Sequence, residues 1–349
     1  MEKRVKKSLI CGAVTDYVLN PELPREYVPK VGDVAIFEVL KIGKHKTIQL
    51  ADKRNGLILP GDHVMAAFGT RYATEQFEGY LPTEVRREFH VLGAGGTVGI
   101  IKSMHALWSG VGPTTLRIVG YATDASGGVI NTKYYRQPPT AFGGRTNGQA
   151  TVILSVGSSM DSGKTTTAGY LVCGLKKTGK PVAFIKLTGT AFSKDKDFVY
   201  DCGADCTVDF SDAGFPSTYL CDENELLQLF ATLMHKVSAV APQYVVVEIA
   251  DGIFQRETRM LLNSAAFMSM VHGVMFSGGD SLGAVCGIAT FQQWNTPLMA
   301  LGGAFTMSPL LIEEVQADCA DLPIFTIQEL AQGAFNAIID RARTPQLVA

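Results

Sequence analysis

The sequence predicts an α/β protein in two parts: a doubly wound, mostly parallel sheet over residues 150–349, preceded by an all-β barrel or sandwich. Three observations carry this expectation. At 349 residues the chain is too long for one ordinary core and fits two domains. Residues 31–130 read as short alternating runs punctuated by Gly and Asp, the pattern of a barrel or sandwich. After residue 150, uniformly apolar runs alternate with helix-length segments, which indicates parallel strands covered on both faces.

In chain order, the first strands are expected at 33–39, 47–50, 57–59 and 116–121. Turn signals separate them at Gly32-Asp33, Asn55-Gly56, Pro60-Gly61-Asp62 and Gly127-Gly128. The run from Gly93 to Gly99 is glycine-rich, but its third glycine is displaced from the dinucleotide spacing and no helix follows, so it reads as a β-turn. Arg71-Tyr72 and residues 113–115 read as polar surface. Residues 138–149 contain two prolines, a Gly pair and Asn147-Gly148 without periodicity, which marks a linker between a first domain at 1–137 and a second at 150–349. Beyond it, strands are expected at 151–156, 181–187, 244–249, 273–277, 297–301 and 323–327, with helices at 164–177, 223–237, 308–317 and 328–342.

Composition narrows the function. Hydrophobic residues make up 46% and charged residues 18%, which excludes a disordered chain. The net charge of -2, from 31 basic and 33 acidic residues, offers no field for nucleic acid or an anionic membrane. The basic start, Lys3, Arg4, Lys6 and Lys7, precedes too short an apolar run for a signal peptide. The apolar stretch at 265–276 is short and broken by Ser269, His272 and Gly273. Seven cysteines with no CxxC pair suit a reducing cytoplasm. Cys202 and Cys206 stand four apart without a second pair and read as packing residues.

The chemistry concentrates after the first apolar strand of the second half. There Gly157-Ser158-Ser159-Met160-Asp161-Ser162-Gly163-Lys164-Thr165-Thr166 leads straight into a helical pattern. Wrapping a polyphosphate takes backbone N–H groups at a helix N-terminus, and Gly163 permits the tight turn. Residues 159–166 are the expected nucleotide contacts, with Lys164 an exposed donor to the β- and γ-phosphates and the Thr165 hydroxyl a Mg²⁺ ligand. The GxxxxGK[ST] pattern would place glycine where Ser158 stands.

Further candidates sit at the carboxyl ends of the other strands, where doubly wound sheets bind ligands. Glu248 closes the third strand and can hold Mg²⁺ or orient a nucleophile, with Asp251 the alternative carboxylate. Lys186 closes the second and suits a substrate carboxylate or a transferred phosphoryl group. Gly278-Gly279-Asp280 and Gly302-Gly303 allow backbone to approach a ligand. Asp201, Asp205, Asp209 and Asp212, with residues 215–218, read equally as metal or substrate contacts and as helix caps and turns.

With Lys186-Leu187-Thr188-Gly189 ending the second strand and 246–252 ending the third, residues 151–330 resemble the dethiobiotin synthetase group of ATP-dependent enzymes. Its corresponding elements are a GxxxxGKT loop, a Lys-Pro-x-x-x-Gly strand end and a Val-Glu-Gly-Ala-Gly-Gly segment. Leu187 replaces the family's proline, and Ile249 and Asp251 replace glycines. The resemblance implies Mg-ATP and γ-phosphoryl chemistry on a small-molecule acid or amine. A weaker resemblance, Asp161 two places before Gly163-Lys164 after a β domain, points to RNA 5′-hydroxyl kinases. Lys186 stands where those enzymes carry an aspartate base. A third reading is a regulatory NTPase whose β domain docks a partner. The sequence is compatible with a homodimer.

Overall fold

The computed structural model describes residues 4–135, 138–144 and 150–343. Chain packing divides it into two units. The first comprises Met1–Thr140, Thr188–Ser193 and Phe210–Cys221; the second comprises Ala141–Leu187, Lys194–Asp209 and Asp222–Ala349. The expected linear division at 138–149 thus differs from the packing, which returns two short later segments to the β unit. Residues 145–149 of the expected linker, and 136–137 before it, lie outside the described residues.

The β unit contains β1 (Val5–Lys7), β2 (Val18–Asn20), β3 (Val34–Lys41), β4 (Thr47–Gln49), β5 (Asn55–Leu57) and β6 (His63–Phe68). It continues with β7 (Arg71–Tyr72), β8 (Phe77–Tyr80), β9 (Glu88–Gly93), β10 (Thr97–Met104) and β11 (Thr115–Thr123). Strand β6 pairs with β3, β3 with β11, β11 with β9, β9 with β10, and β10 back with β6. The ring closes, so this is a barrel rather than a sandwich. Alternate residues point inward and fill it: Phe37, Phe68, Phe89 and Tyr121 are buried. Their rings meet edge-on at 4.9–5.9 Å among the three phenylalanines, a favoured aromatic geometry. The glycine-rich stretch ends β9 and turns into β10, as expected. Arg71 and Thr114 are buried, against the expectation of polar surface. The barrel needs polar groups there to satisfy loop backbone, as when Thr114 Oγ1 donates to the His45 carbonyl at 2.7 Å.

The second unit is a six-stranded, all-parallel sheet. Its strands are β12 (Thr151–Gly157), β13 (Val182–Lys186), β14 (Cys206–Asp209), β15 (Tyr244–Glu248), β16 (Gly273–Ser277) and β17 (Leu298–Gly302), ordered β14-β13-β15-β12-β16-β17. Between and after them come α1 (Lys164–Lys176), α2 (Lys194–Asp201), α3 (Glu223–Val237), α4 (Arg256–Asn263), α5 (Ala265–Met268), α6 (Ser281–Gln293), α7 (Pro309–Asp318), α8 (Ile327–Gln332) and α9 (Asn336–Arg343). Strands β12, β15 and β16 are buried along their whole lengths, as continuous apolar runs in a doubly covered sheet require. The expected strand at 323–327 is reduced to a single bridge between Leu301 and Ile324, and β14 supplies the sixth strand instead. The expected helix at 328–342 is broken into α8 and α9 by Gly333, whose φ of 89° ends α8 in a left-handed cap.

Candidate functional site

Parallel strands with helical returns bring all strand carboxyl ends to one edge. In the second unit that edge carries Gly157, Lys186, Glu248, Ser277 and Gly302. Register fixes their neighbourhood: Ser155 lies beside Glu248, and Glu248 beside Lys186.

The loop from β12 to α1 encloses its own lysine. Gly163 caps α1 at φ 93°, and Asp161 also takes a positive φ, 59°. Lys164 is only 6% exposed, which corrects the expectation of an exposed donor. Its ammonium folds back onto the loop, donating to the Ser159 carbonyl at 2.5 Å and the Ser162 hydroxyl at 3.4 Å. The stem crosses Gly157, where a Cβ would meet Ser162 Oγ at 2.2 Å and Lys164 Cγ at 2.7 Å. So the glycine this loop requires at its entry is Gly157. Ser158 instead uses its side chain, accepting from the Gly279 amide at 3.0 Å. Burial pushes the Lys164 ammonium down, opposed by the charges of Glu248 and Asp251.

Behind the loop stands the turn after β17. Gly303 takes φ 102°, and a Cβ there would sit 2.6 Å from the Ser162 carbonyl. The Ala304 amide donates to that carbonyl at 3.0 Å. Of Gly302 and Gly303, both expected to contact nucleotide, Gly303 packs against the back of the loop and Gly302 ends β17. On its other flank a Cβ on Gly252 would meet the Ser158 carbonyl at 2.4 Å. Ser277 and Thr167, both buried, join through hydroxyls at 3.2 Å and pin α1 to β16.

Glu248 is 1% exposed. Its Oε1 accepts from the Thr165 hydroxyl at 3.0 Å and from Lys186 Nζ at 3.0 Å, while its buried Oε2 has no partner. An orphaned carboxylate oxygen beside a threonine hydroxyl is the donor set a hard cation takes. Thr165 and Glu248 thus fit Mg²⁺, which keeps most of its shell as water. Among the described residues no group of three or more His, Cys, Asp or Glu side chains could hold a metal, so an all-protein cage, including one at Cys202 and Cys206, is absent there.

Lys186 does not reach freely toward a substrate. It is bound on one side by Glu248 and on the other by Asp195 in the first turn of α2. Burial alone would depress its ammonium, but Glu248 and Asp195 outweigh it and shift it upward. It stays charged and balances Glu248. Asp195 went unnoticed in the sequence; the alternating run Lys194-Asp195-Lys196-Asp197 at a helix start was the signal available. Asp251 has φ 61° and is half-buried, three residues past Glu248. Ser159 and Thr166 are exposed at the loop's rim, Met160 is half-buried and Ser162 buried.

The acidic segment disperses. Asp205 pairs with Lys176 at 2.7 Å and accepts from the Val182 amide. Asp209 pairs with Lys196 at 3.2 Å, both buried, Asp201 ends α2, and Asp212 lies in a 3-10 turn within the β unit. In the folded chain these residues supply ion pairs, a strand-end cap and a turn. Asp280 caps α6, accepting from Gly283 at 2.6 Å.

A buried strand, a glycine-bounded loop closing on lysine, and a helix opening on Lys-Thr form one continuous phosphate cradle. The second unit has a P-loop nucleotide-binding fold. No family model matches the chain, and no curated protein does. Among solved structures, the chain is similar to the signal recognition particle 54 kDa protein of Aeropyrum pernix K1 in complex with GDP, at 19% identity and TM-score 0.37, over 58% of this chain and 52% of that one. It thus spans about half that protein's length. It is also similar to the signal recognition particle receptor FtsY of Elizabethkingia anophelis in complex with GDP, at 16% identity, TM-score 0.36 and 57% and 68% coverage. A nucleotide-binding protein of Archaeoglobus fulgidus in complex with ADP matches at 11% identity, TM-score 0.32 and 52% and 86% coverage. No helix among the described residues is long and apolar enough to cross a membrane.

Proposed function

We propose that the chain is a Mg²⁺-dependent nucleoside triphosphatase or γ-phosphoryl transferase working at the loop of residues 157–166, with ATP as its nucleotide. The observation that supports this best is the pairing of the Thr165 hydroxyl with Glu248, whose second oxygen is buried and unpartnered. A carboxylate is costly to bury unless something will use it. When bound, Mg²⁺ supplies charge to the polyphosphate, held by Thr165 and Glu248. Everything else comes from the chain. The α1 N-terminus and loop amides wrap the phosphates, and Lys164 exchanges the Ser159 carbonyl for a phosphate oxygen. Lys186 holds the Glu248 carboxylate in place, and Asp195 balances Lys186. A small-molecule acid or amine as acceptor is carried over from the dethiobiotin synthetase resemblance alone, since Glu248 and Asp195 occupy Lys186; the near-neutral charge speaks against a polynucleotide. A cytoplasmic setting and a homodimer belong to the same reading.

Titration of the full chain with a fluorescent ATP analogue tests it. Lys164→Ala should abolish binding with little change in melting temperature, because the hydrogen bonds of the lysine ammonium go to its own loop. Equal affinity in the variant would remove the phosphate-loop assignment.

A further inference from the structure

Helix α6 lies at the surface of the second unit without the composition of a surface helix. None of its 13 residues is charged. Ala284, Gly287, Ile288 and Phe291 turn one side of it inward. On the other side Leu282, Cys286 and Ala289, spaced i, i+4 and i+7, are exposed, on the stripe where a solvated helix carries its charge. Leu282 is 72% exposed. A helix that is apolar all round is ordinarily covered.

The next helix extends this stripe. Helix α7 packs against α6, and both leave the carboxyl edge of the sheet, so their first turns lie side by side. Leu310, in the first turn of α7, is 70% exposed, and Met307, in the turn before it, 83%. Large apolar side chains gathered on one exposed face mark a contact surface.

Charge identifies what covers it. Residues 260–340 contain no lysine or arginine, and on α7 the exposed Glu313 and Glu314 have no cation partner among the described residues. Helix α4 stands on the opposite flank of α6, because right-handed crossovers lay α4, α6 and α7 over the sheet in strand order. There Arg259 is exposed, with its guanidinium 5.8 Å from the ring centroid of Trp294 at the end of α6. Phe254 meets the same ring at 6.1 Å. Among the described residues no carboxylate pairs with Arg259. A partner of a single sign would set like charge against one flank or the other. A second copy turned about a two-fold axis lays each flank on its opposite.

We propose that this face pairs two copies of the chain about a two-fold axis across α6. Leu282, Met307 and Leu310 are buried in the contact, and Arg259 of each copy is set against Glu313 and Glu314 of the other. Cys286, midway along α6, then faces its own counterpart. This gives the homodimer of the preceding reading its surface, and it requires no nucleotide.

Light scattering on the full-length chain, without nucleotide and over a dilution series, should show twice the chain mass. A short bismaleimide should join the copies, and Cys286→Ser should abolish the cross-link while leaving the dimer. Leu282→Glu alters a side chain already in water and should weaken the dimer about tenfold or more with circular dichroism unchanged; if it does not fold, Ala289→Glu takes its place. Arg259→Glu should weaken the dimer, as should Glu313→Arg with Glu314→Arg, and the three together should restore it. Lys164→Ala should dimerise like the parent, so failure of the nucleotide reading and failure of this one are told apart. A monomer at every concentration up to about 100 μM, a dimer indifferent to the substitutions on α6, a cross-link that survives Cys286→Ser, or charge variants that do not rescue one another would overturn the proposal.

Discussion

Glu248 and Asp251 lie three residues apart, yet their surroundings assign them different work. Glu248 is sealed between a threonine hydroxyl and a lysine, whereas Asp251 sits half-buried on strained backbone. Glu248→Gln keeps the shape and removes the charge, so nucleotide should still bind while turnover falls about 10²-fold, the usual effect of one such contact. Asp251→Asn should fall by less. The reverse ranking, measured as rate per folded molecule, would move the catalytic carboxylate to Asp251. His45 makes a separate expectation. Burial, with the charges of Arg71 and Lys44, pushes its folded value down to about 3, below the unfolded 6.5, so between these values the unfolded chain binds more protons and stability rises with pH. Unfolding midpoints should therefore drop as pH falls from about 6.5 toward 3, and His45→Gln should flatten that dependence; equal slopes would refute it. At this scale Lys164, Thr165 and Glu248 were legible because motif spacing and strand ends announce them. Asp195 was not, since its significance depends on Lys186, nine residues away, and only folding brings the two together.

Among the elements, β12, α1 and α3 were readable almost residue by residue, because an uninterrupted apolar run or a capped amphipathic repeat leaves one solution. Asp222 and Glu225 even form the capping box that starts α3. By contrast α6 was missed: Gly283 and Gly287 lie within it, and Gly287 faces Phe276 so closely that a Cβ would stand 2.1 Å from the ring. Packing chose those glycines over propensity. The turn after β17 carries the next prediction. Gly303→Ala adds strain at φ 102° and a clash with the Ser162 carbonyl, and should cost about 1–3 kcal/mol while weakening nucleotide binding. Gly61→Ala is the control, with φ 86° and open space around it. It should show a smaller loss in denaturant unfolding and no change in nucleotide affinity.

For the molecule as a whole, the two-part plan was legible from the change of pattern near residue 150, and the barrel's closure was not, since it rests on a parallel β6–β10 pairing between distant strands. Nor was the return of residues 188–193 and 210–221 to the β unit. Within that unit they are fastened by buried groups: the Ser193 amide donates to Gln49 Oε1 at 2.9 Å, Gln49 Nε2 to Ser193 Oγ at 2.8 Å, and Thr97 Oγ1 to the Pro216 carbonyl at 2.8 Å. A fragment beginning at Ala141 leaves those segments without partners and should be aggregated or only partly folded, judged by light scattering and circular dichroism. A monomeric, nucleotide-binding fragment would contradict this. The chain passes from one unit to the other after Thr140, Leu187, Ser193, Asp209 and Cys221. In heredity, the consequence is indivisibility. No single crossover in the gene can exchange one whole unit for a foreign counterpart, because a breakpoint before Cys221 divides the barrel from loops cut to fit it and a breakpoint after it divides the second unit.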